Sequence, residues 1–110
     1  MRRLDSLRRA SVFEVEAMRI TPGNIRYHEL IGLEVEILSH PDPGVEGVRG
    51  VVSWETPRAL EVDVGDGKRL LILKSRALFA FKIPGGGLVV VDGDSIMGSP
   101  AERAKRIVKG

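Results

Sequence analysis

The sequence contains no cysteine. Disulfides, a thiolate nucleophile and any zinc site built on sulfur are therefore excluded. Histidine is nearly as scarce, with only His28 and His40. No apolar run approaches the roughly 18 residues of a membrane span, so no membrane association is expected. The N-terminus lacks the apolar stretch of a secretory leader, and a reducing cytoplasm is the expected location. What is present is a chain of 110 residues, 43% hydrophobic and 29% charged, which fits one folded domain with a single modest core.

The net charge of +2 conceals a pattern. Residues 1–30 carry six basic and four acidic groups, for +2. Residues 31–100 carry seven and ten, for −3, and residues 101–110 carry four and one, for +3. Basic ends around a slightly acidic body suggest polyanion binding, although composition alone favours two solvated tails.

The first 20 residues are ambiguous, with Leu4 and Leu7 on one helical face and Val12, Phe13 and Val15 half extended in pattern. A basic arm is expected, either a mobile tail or a short helix that orders on a partner. A helix is expected from Thr21, with Thr21 as cap, Pro22 at the first position and Ile20 stapled onto Ile25. Tyr27, Leu30 and Ile31 would form its apolar face, and Gly32 would end it at positive φ. The period then changes to two. Strands are expected over Leu33–Leu38, Gly47–Thr56 (bent or bulged at Gly50), Leu60–Val64, Leu70–Leu73, Leu78–Ile83 and Leu88–Val91. Gly65-Asp66-Gly67-Lys68 reads as a tight hairpin. Leu70–Leu73, apolar on both sides, reads as a central or covered strand. Ser99 and Glu102 form a capping box, with Pro100 at the first helical position, opening a C-terminal helix whose apolar stripe would use Ala101, Ala104 and Ile107 or Val108.

Six short strands about ten residues apart predict a small antiparallel barrel or strongly bent sheet. The predicted core is Leu33, Val35, Ile37, Val48, Val51, Leu60, Val62, Leu71, Leu73, Phe79, Phe81 and Val90. The expected divisions are an arm over 1–20, the barrel with its leading helix over 21–98, and a basic helix or tail over 99–110.

No catalytic constellation emerges. In His28-Glu29-Leu30-Ile31-Gly32, glycine stands where a zinc protease needs a second histidine. Asp66, Asp92 and Asp94 fit turn chemistry better than a cation site. Gly85-Gly86-Gly87 joins two strands and lacks the strand–helix context of a phosphate loop. The serines have no base at readable spacing. Trp54 with Tyr27 could stack on bases, although a lone strand tryptophan is more often core or interface.

Several segments, taken in order, resemble one family. They are Ile20-Thr21-Pro22, then His28-Glu29-Leu30-Ile31-Gly32-Leu33-Glu34-Val35-Glu36, and Gly47-Val48-Arg49-Gly50-Val51-Val52. Asp66-Gly67-Lys68, the stretch 74–81, Asp92-Gly93 and Gly98-Ser99-Pro100-Ala101-Glu102-Arg103 follow. Over about residues 20–106 this pattern resembles the archaeal ribonuclease P protein component 1 family, whose eukaryotic counterpart is the 29-kDa-type subunit of ribonuclease P and ribonuclease MRP.

The resemblance implies a mainly β fold, a six-stranded antiparallel Sm-like barrel with a short helix before it and a helix after it. It implies an accessory subunit of the ribonucleoprotein that removes the 5′ leader from precursor tRNA. In that family the RNA holds the active site and its magnesium, so no cofactor is expected on the protein itself. The implied partners are the specificity domain of the ribonuclease P RNA, a zinc-binding protein subunit that pairs with this one, the other protein subunits and, indirectly, precursor tRNA. The protein contact is carried over onto Ile25, Leu30, Ile31, Val48 and Val52.

Phosphate contacts are expected from Arg2, Arg3, Arg8, Arg9, Arg26, Arg49, Lys68, Arg69, Lys74, Arg76, Lys82, Arg103, Lys105, Arg106 and Lys109. Arg suits bidentate phosphate recognition and Lys point contacts. Lys68/Arg69 and Arg103/Arg106 stand foremost among them. The rival readings are a generic Sm-like RNA-binding module unrelated to tRNA maturation and a barrel that binds only protein.

Overall fold

The computed structural model describes residues 20–109, with side chains as far as 105. Six strands make one antiparallel sheet: β1 (Glu34–Ser39), β2 (Arg49–Glu55), β3 (Ala59–Gly65), β4 (Lys68–Leu73), β5 (Leu78–Lys82) and β6 (Leu88–Asp92). Their order is β4-β3-β2-β1-β5-β6, and a single helix, α1 (Pro100–Lys109), follows. The expected six-stranded, mainly β architecture with a C-terminal helix is what the chain forms.

The inner face of the sheet is aliphatic and dry. Val35, Ile37, Val52, Leu60, Val62, Ile72, Phe79, Phe81, Val89 and Val91 are buried, and the Phe79 and Phe81 rings lie 5.9 Å apart. Ile25, Leu30 and Ile96 complete the core from outside the strands. Register shifts interrupt the ladders between Ile37 and Ser39, Val52 and Trp54, and Asp63 and Gly65, each bending its strand. Gly50 has a further role. A Cβ there would strike the Asp63 carbonyl and Val62, so β2 and β3 approach too closely for any side chain.

The β3–β4 hairpin forms as predicted, with Asp66 at φ 54° and Gly67 at φ 72°, the positive pair that matches strand twist. The capping box also forms. The Glu102 N–H donates to Ser99 Oγ (3.1 Å), and the Ser99 N–H donates to Glu102 Oε1 (2.9 Å).

Three expectations fail. The helix from Thr21 shrinks to one 3-10 turn, Ile25–Tyr27. Thr21 and Asn24 do exchange capping bonds, Thr21 N–H to Asn24 Oδ1 (2.8 Å) and Asn24 N–H to Thr21 Oγ1 (3.2 Å). But His28 is extended, and the Arg26 and His28 carbonyls are taken by a side chain of α1 rather than by helical N–H groups. Second, Leu70–Leu73 lies in an edge strand, not a central one, because β4 pairs only with β3. No ladder joins β4 to β6 among the described residues. Their ends meet only at a corner, where Gly93 abuts the Lys74 carbonyl.

Third, the core is shifted by one residue on three strands. Val51, Leu71, Leu73 and Val90 are exposed, while Val52, Ile72, Val89 and Val91 point inward. Val48 is partly buried against the core.

The corner at Gly93 tests this packing. A methyl group there meets the Lys74 carbonyl and Phe79 Cε2 (3.1 Å), whereas Gly23 has only Thr21 Oγ1 nearby, at 3.8 Å. Gly93→Ala is expected to lower unfolding stability in urea by about 1–3 kcal/mol, and Gly23→Ala to change it by less than about 0.5 kcal/mol.

Candidate nucleic-acid interface

Two of the expected phosphate ligands are not on the surface. Lys74 and Arg103 are both 0% exposed. They flank the buried carboxylate of Glu55, which ends β2. Lys74 Nζ donates to Glu55 Oε2 (2.7 Å), and Arg103 Nη1 donates to the same oxygen (2.5 Å). These two cations are corrected from RNA ligands to structural groups, since a side chain with no solvent contact and a full set of internal acceptors cannot meet a phosphate.

The rest of the network is backbone. Arg103 Nε donates to Arg26 O (2.7 Å), Nη2 to His28 O (2.7 Å) and Nη1 to Gly98 O (2.7 Å). Lys74 Nζ donates to Ile96 O (2.8 Å), with Gly98 O at 3.3 Å and Pro57 O at 3.4 Å. No buried side-chain nitrogen or oxygen lacks a partner among the described residues. Segments 26–28, 55–58, 74–77, 93–98 and the start of α1 therefore meet around one carboxylate.

In the structure Lys74 continues the inward alternation of Leu70 and Ile72, which the wholly apolar run 70–73 does not reveal in the sequence. Glu55 has no sequence signal either, because the irregularity after Val52 changes which residues of β2 face inward.

Three further expected ligands, Arg49, Arg69 and Lys82, pair with carboxylates on the outer sheet face. The pairs are Arg49–Glu36 (3.4 Å), Arg69–Glu61 (3.8 Å) and Lys82–Glu34 (3.8 Å). Such exposed pairs contribute little to stability and are readily exchanged for another anion. Arg26 is half-buried, its Nε donating to Ser95 Oγ (3.1 Å).

Lys68, Arg76 and Lys105 are exposed and have no ion-pair partner among the described residues, and the same holds for Arg58, which the sequence analysis passed over. Arg58, Arg76 and Lys105 lie on the segments gathered around Glu55; Lys68 lies on the β3–β4 hairpin. Arg2, Arg3, Arg8 and Arg9 and the side chains of Arg106 and Lys109 lie outside the described residues.

Of the expected protein-contact residues, Ile25, Leu30 and Val52 are corrected to core, at 0%, 0% and 1% exposure. Ile31 is exposed and Val48 is half-buried, so these two remain accessible. Trp54 is 59% exposed on the outer face, in register with Glu61, which pairs in turn with Leu71. It is therefore not a core residue. Asp92 Oδ1 accepts from the Asp94 N–H (3.0 Å), which is turn chemistry, and Asp94 Oδ1 accepts from the Arg76 N–H (3.1 Å), which ties two loops together.

The triad has one negative and two positive groups, and this imbalance ranks its members. Burial holds the Lys74 ammonium below its usual pKa of 10.5, the attraction of Glu55 only partly offsetting the loss of water. Every carbonyl that Lys74 reaches has a second donor: Arg103 for Ile96 O and Gly98 O, and the Gly98 N–H for Pro57 O. Lys74→Met is thus expected to be mild, within about 1 kcal/mol, because a matched Glu55–Arg103 pair survives. Glu55→Leu leaves two buried cations and is expected to cost about 3–5 kcal/mol in urea unfolding.

A pH dependence follows. The unfolded chain holds the Lys74 proton to higher pH than the folded one, so this group's contribution to stability rises with pH until it levels off above 10.5. As pH rises toward 10.5 the stability difference between wild type and Lys74→Met should move in favour of wild type.

Comparison with known proteins agrees with this fold. Residues 23–106 match the family model described as ribonuclease P/MRP, subunit p29. Ribonuclease P protein component 1 of Hyperthermus butylicus is 48% identical over 90 residues, covering 82% of this chain and 81% of that one. The Desulfurococcus amylolyticus protein of the same name is 43% identical, covering 82% and 98%. The solved structure of Mth11, a homologue of human RNase P protein Rpp29, is 38% identical with a TM-score of 0.54, over 69% of this chain and 97% of that one. A six-stranded sheet of this order, the matched span and these identities together place the chain in the ribonuclease P/MRP p29 family of ribonuclease P protein components.

Proposed function

We propose that the chain is a non-catalytic RNA-binding subunit of ribonuclease P. It supports the catalytic RNA during removal of the 5′ leader from precursor tRNA and does no chemistry itself. The observation that carries this reading is the distribution of charge in a member of this family. The titratable cluster with the deepest burial is sealed around Glu55 and structural, while cations without carboxylate partners stand on exposed segments and both chain ends are basic.

Phosphates are bound by Arg58, Lys68, Arg76 and Lys105, by the basic arm before residue 20, and by Arg106 and Lys109. Arg49, Arg69 and Lys82 join them by exchanging carboxylates for phosphates. The RNA element is the specificity domain. The zinc-binding protein subunit docks on Ile31 and Val48, alongside the other protein subunits, and the setting is cytoplasmic.

Magnesium belongs to the RNA in this scheme. Among the described residues no three His, Asp or Glu side chains are grouped so as to hold a metal. The protein's part is to neutralise phosphates and hold the RNA in one arrangement, which lowers the magnesium needed for the same fold.

Two measurements test the reading. Arg76→Glu with Lys105→Glu should leave the melting temperature nearly unchanged and weaken binding to ribonuclease P RNA. The log–log salt slope should fall by about 1.4–1.8, two phosphate contacts' worth. An unchanged affinity and slope would remove both residues from the RNA surface. In the second, the purified chain alone should leave precursor tRNA uncut, and together with the catalytic RNA and the partner subunits it should raise the cleavage rate at low magnesium. Cleavage by the isolated chain would overturn the accessory role.

A further inference from the structure

The attachment of α1 is unusual for a short helix. Ten residues are marginal alone and normally need an apolar face against a core. Here Ala101 and Ala104, expected to supply that face, are exposed, as are Glu102 and Lys105. Among the described side chains of the helix, the buried one is Arg103. Ile107 and Val108, the rest of the expected stripe, lie outside the described side chains; among those described, a guanidinium anchors the helix.

An apolar anchor tolerates sliding and rotation. A guanidinium has five donors in a rigid planar fork and accepts few orientations. One side of this fork meets Glu55 and Gly98 O; the other meets Arg26 O and His28 O. The same group therefore fixes the helix against the sheet and the entering segment 26–28 against the helix. Buried ion pairs are weak sources of stability, and their best-attested use is to specify one arrangement among several.

We propose that Glu55 is a positioning residue for RNA binding: through Arg103 it holds the basic C-terminal helix and the chain entering from the basic N-terminal arm as one fixed, RNA-facing unit. The proposal rests on the RNA-binding role set out above. It gives a function to a residue whose side chain is buried, and it links segment 26–28 to the helix that carries Lys105. Lys74 keeps the Glu55 carboxylate in place and satisfies Ile96 O.

The test compares full-length wild type, Glu55→Gln, Arg103→Gln and Arg103→Lys. Ribonuclease P RNA binding is measured across salt concentrations, and amide hydrogen exchange is followed in the sheet and in α1, where the Arg103 N–H donates to Ser99 O (2.9 Å). Glu55→Gln removes a negative charge, so simple electrostatics predicts equal or tighter RNA binding. Positioning predicts the reverse. The α1 amides lose protection while the sheet keeps it, affinity falls on the order of tenfold, and the log–log slope shrinks by about 1–2.

Arg103→Gln leaves a matched Glu55–Lys74 pair and so preserves the sheet even if Glu55→Gln does not. It should release the helix and weaken binding in the same way. Arg103→Lys keeps the charge without the fork and should fall between Arg103→Gln and wild type. The proposal is overturned if α1 stays protected in the Gln variants, or if protection is lost with RNA affinity and slope unchanged. If wild type itself shows no salt-dependent binding, the RNA-binding role fails first and takes this proposal with it.

Discussion

One carboxylate, Glu55, is shared by two buried cations, and the way the chain's ends meet the sheet depends on that sharing. The hydrophobic face of the six strands would collapse without it, because Phe79, Phe81 and the aliphatic residues around them bury enough surface to do so. What collapse alone would not settle is where segments 26–28 and 93–98 and helix α1 lie. Their carbonyls converge on Lys74 and Arg103, and those cations can be buried only because Glu55 lies between them. Removing either cation leaves a matched pair; removing the anion leaves none.

Clusters of perturbed ionisable groups often mark active sites. Here one perturbed group, Lys74, belongs to a buried ion cluster whose bonds are structural. The side chains of the Glu55 network are at most 1% exposed, the remaining donors of its two cations are taken by backbone carbonyls, and no buried side-chain polar atom is left open among the described residues. A catalytic group needs a substrate within reach, and these three side chains are instead bonded to one another and to the backbone. What the network does is structural: it ties the segments around Glu55 to one end of the six-stranded sheet.

Local chemistry was legible in the sequence wherever the signal was local. The Asp66-Gly67 hairpin and the Ser99–Glu102 capping box need only a few neighbouring residues, and both formed as expected. Number and spacing of strands were legible for the same reason. Facing was not. Leu70–Leu73 and Leu88–Val91 are apolar throughout, so alternation gives no parity, and the inward residues proved to be the neighbours of those chosen. In β2 the irregularity between Val52 and Trp54 turned the indole out and Glu55 in, an event no period reveals. The leading helix was misjudged because its rival was distant: carbonyls 26 and 28 answer to a side chain more than 70 positions later. Charge type likewise says nothing of depth, which is why Lys74 and Arg103 were grouped with surface cations.

The outward indole also matters at the bench. Trp54 is the chain's only tryptophan and stands more than half in water on the outer sheet face, beside a strand edge that carries Leu71 and Leu73. An indole so exposed is expected to fluoresce much like a solvated one even in the folded state, which makes it a poor gauge of denaturation. It is, however, a built-in optical probe of that face, blue-shifting when another molecule covers it and staying silent when contact is made anywhere else.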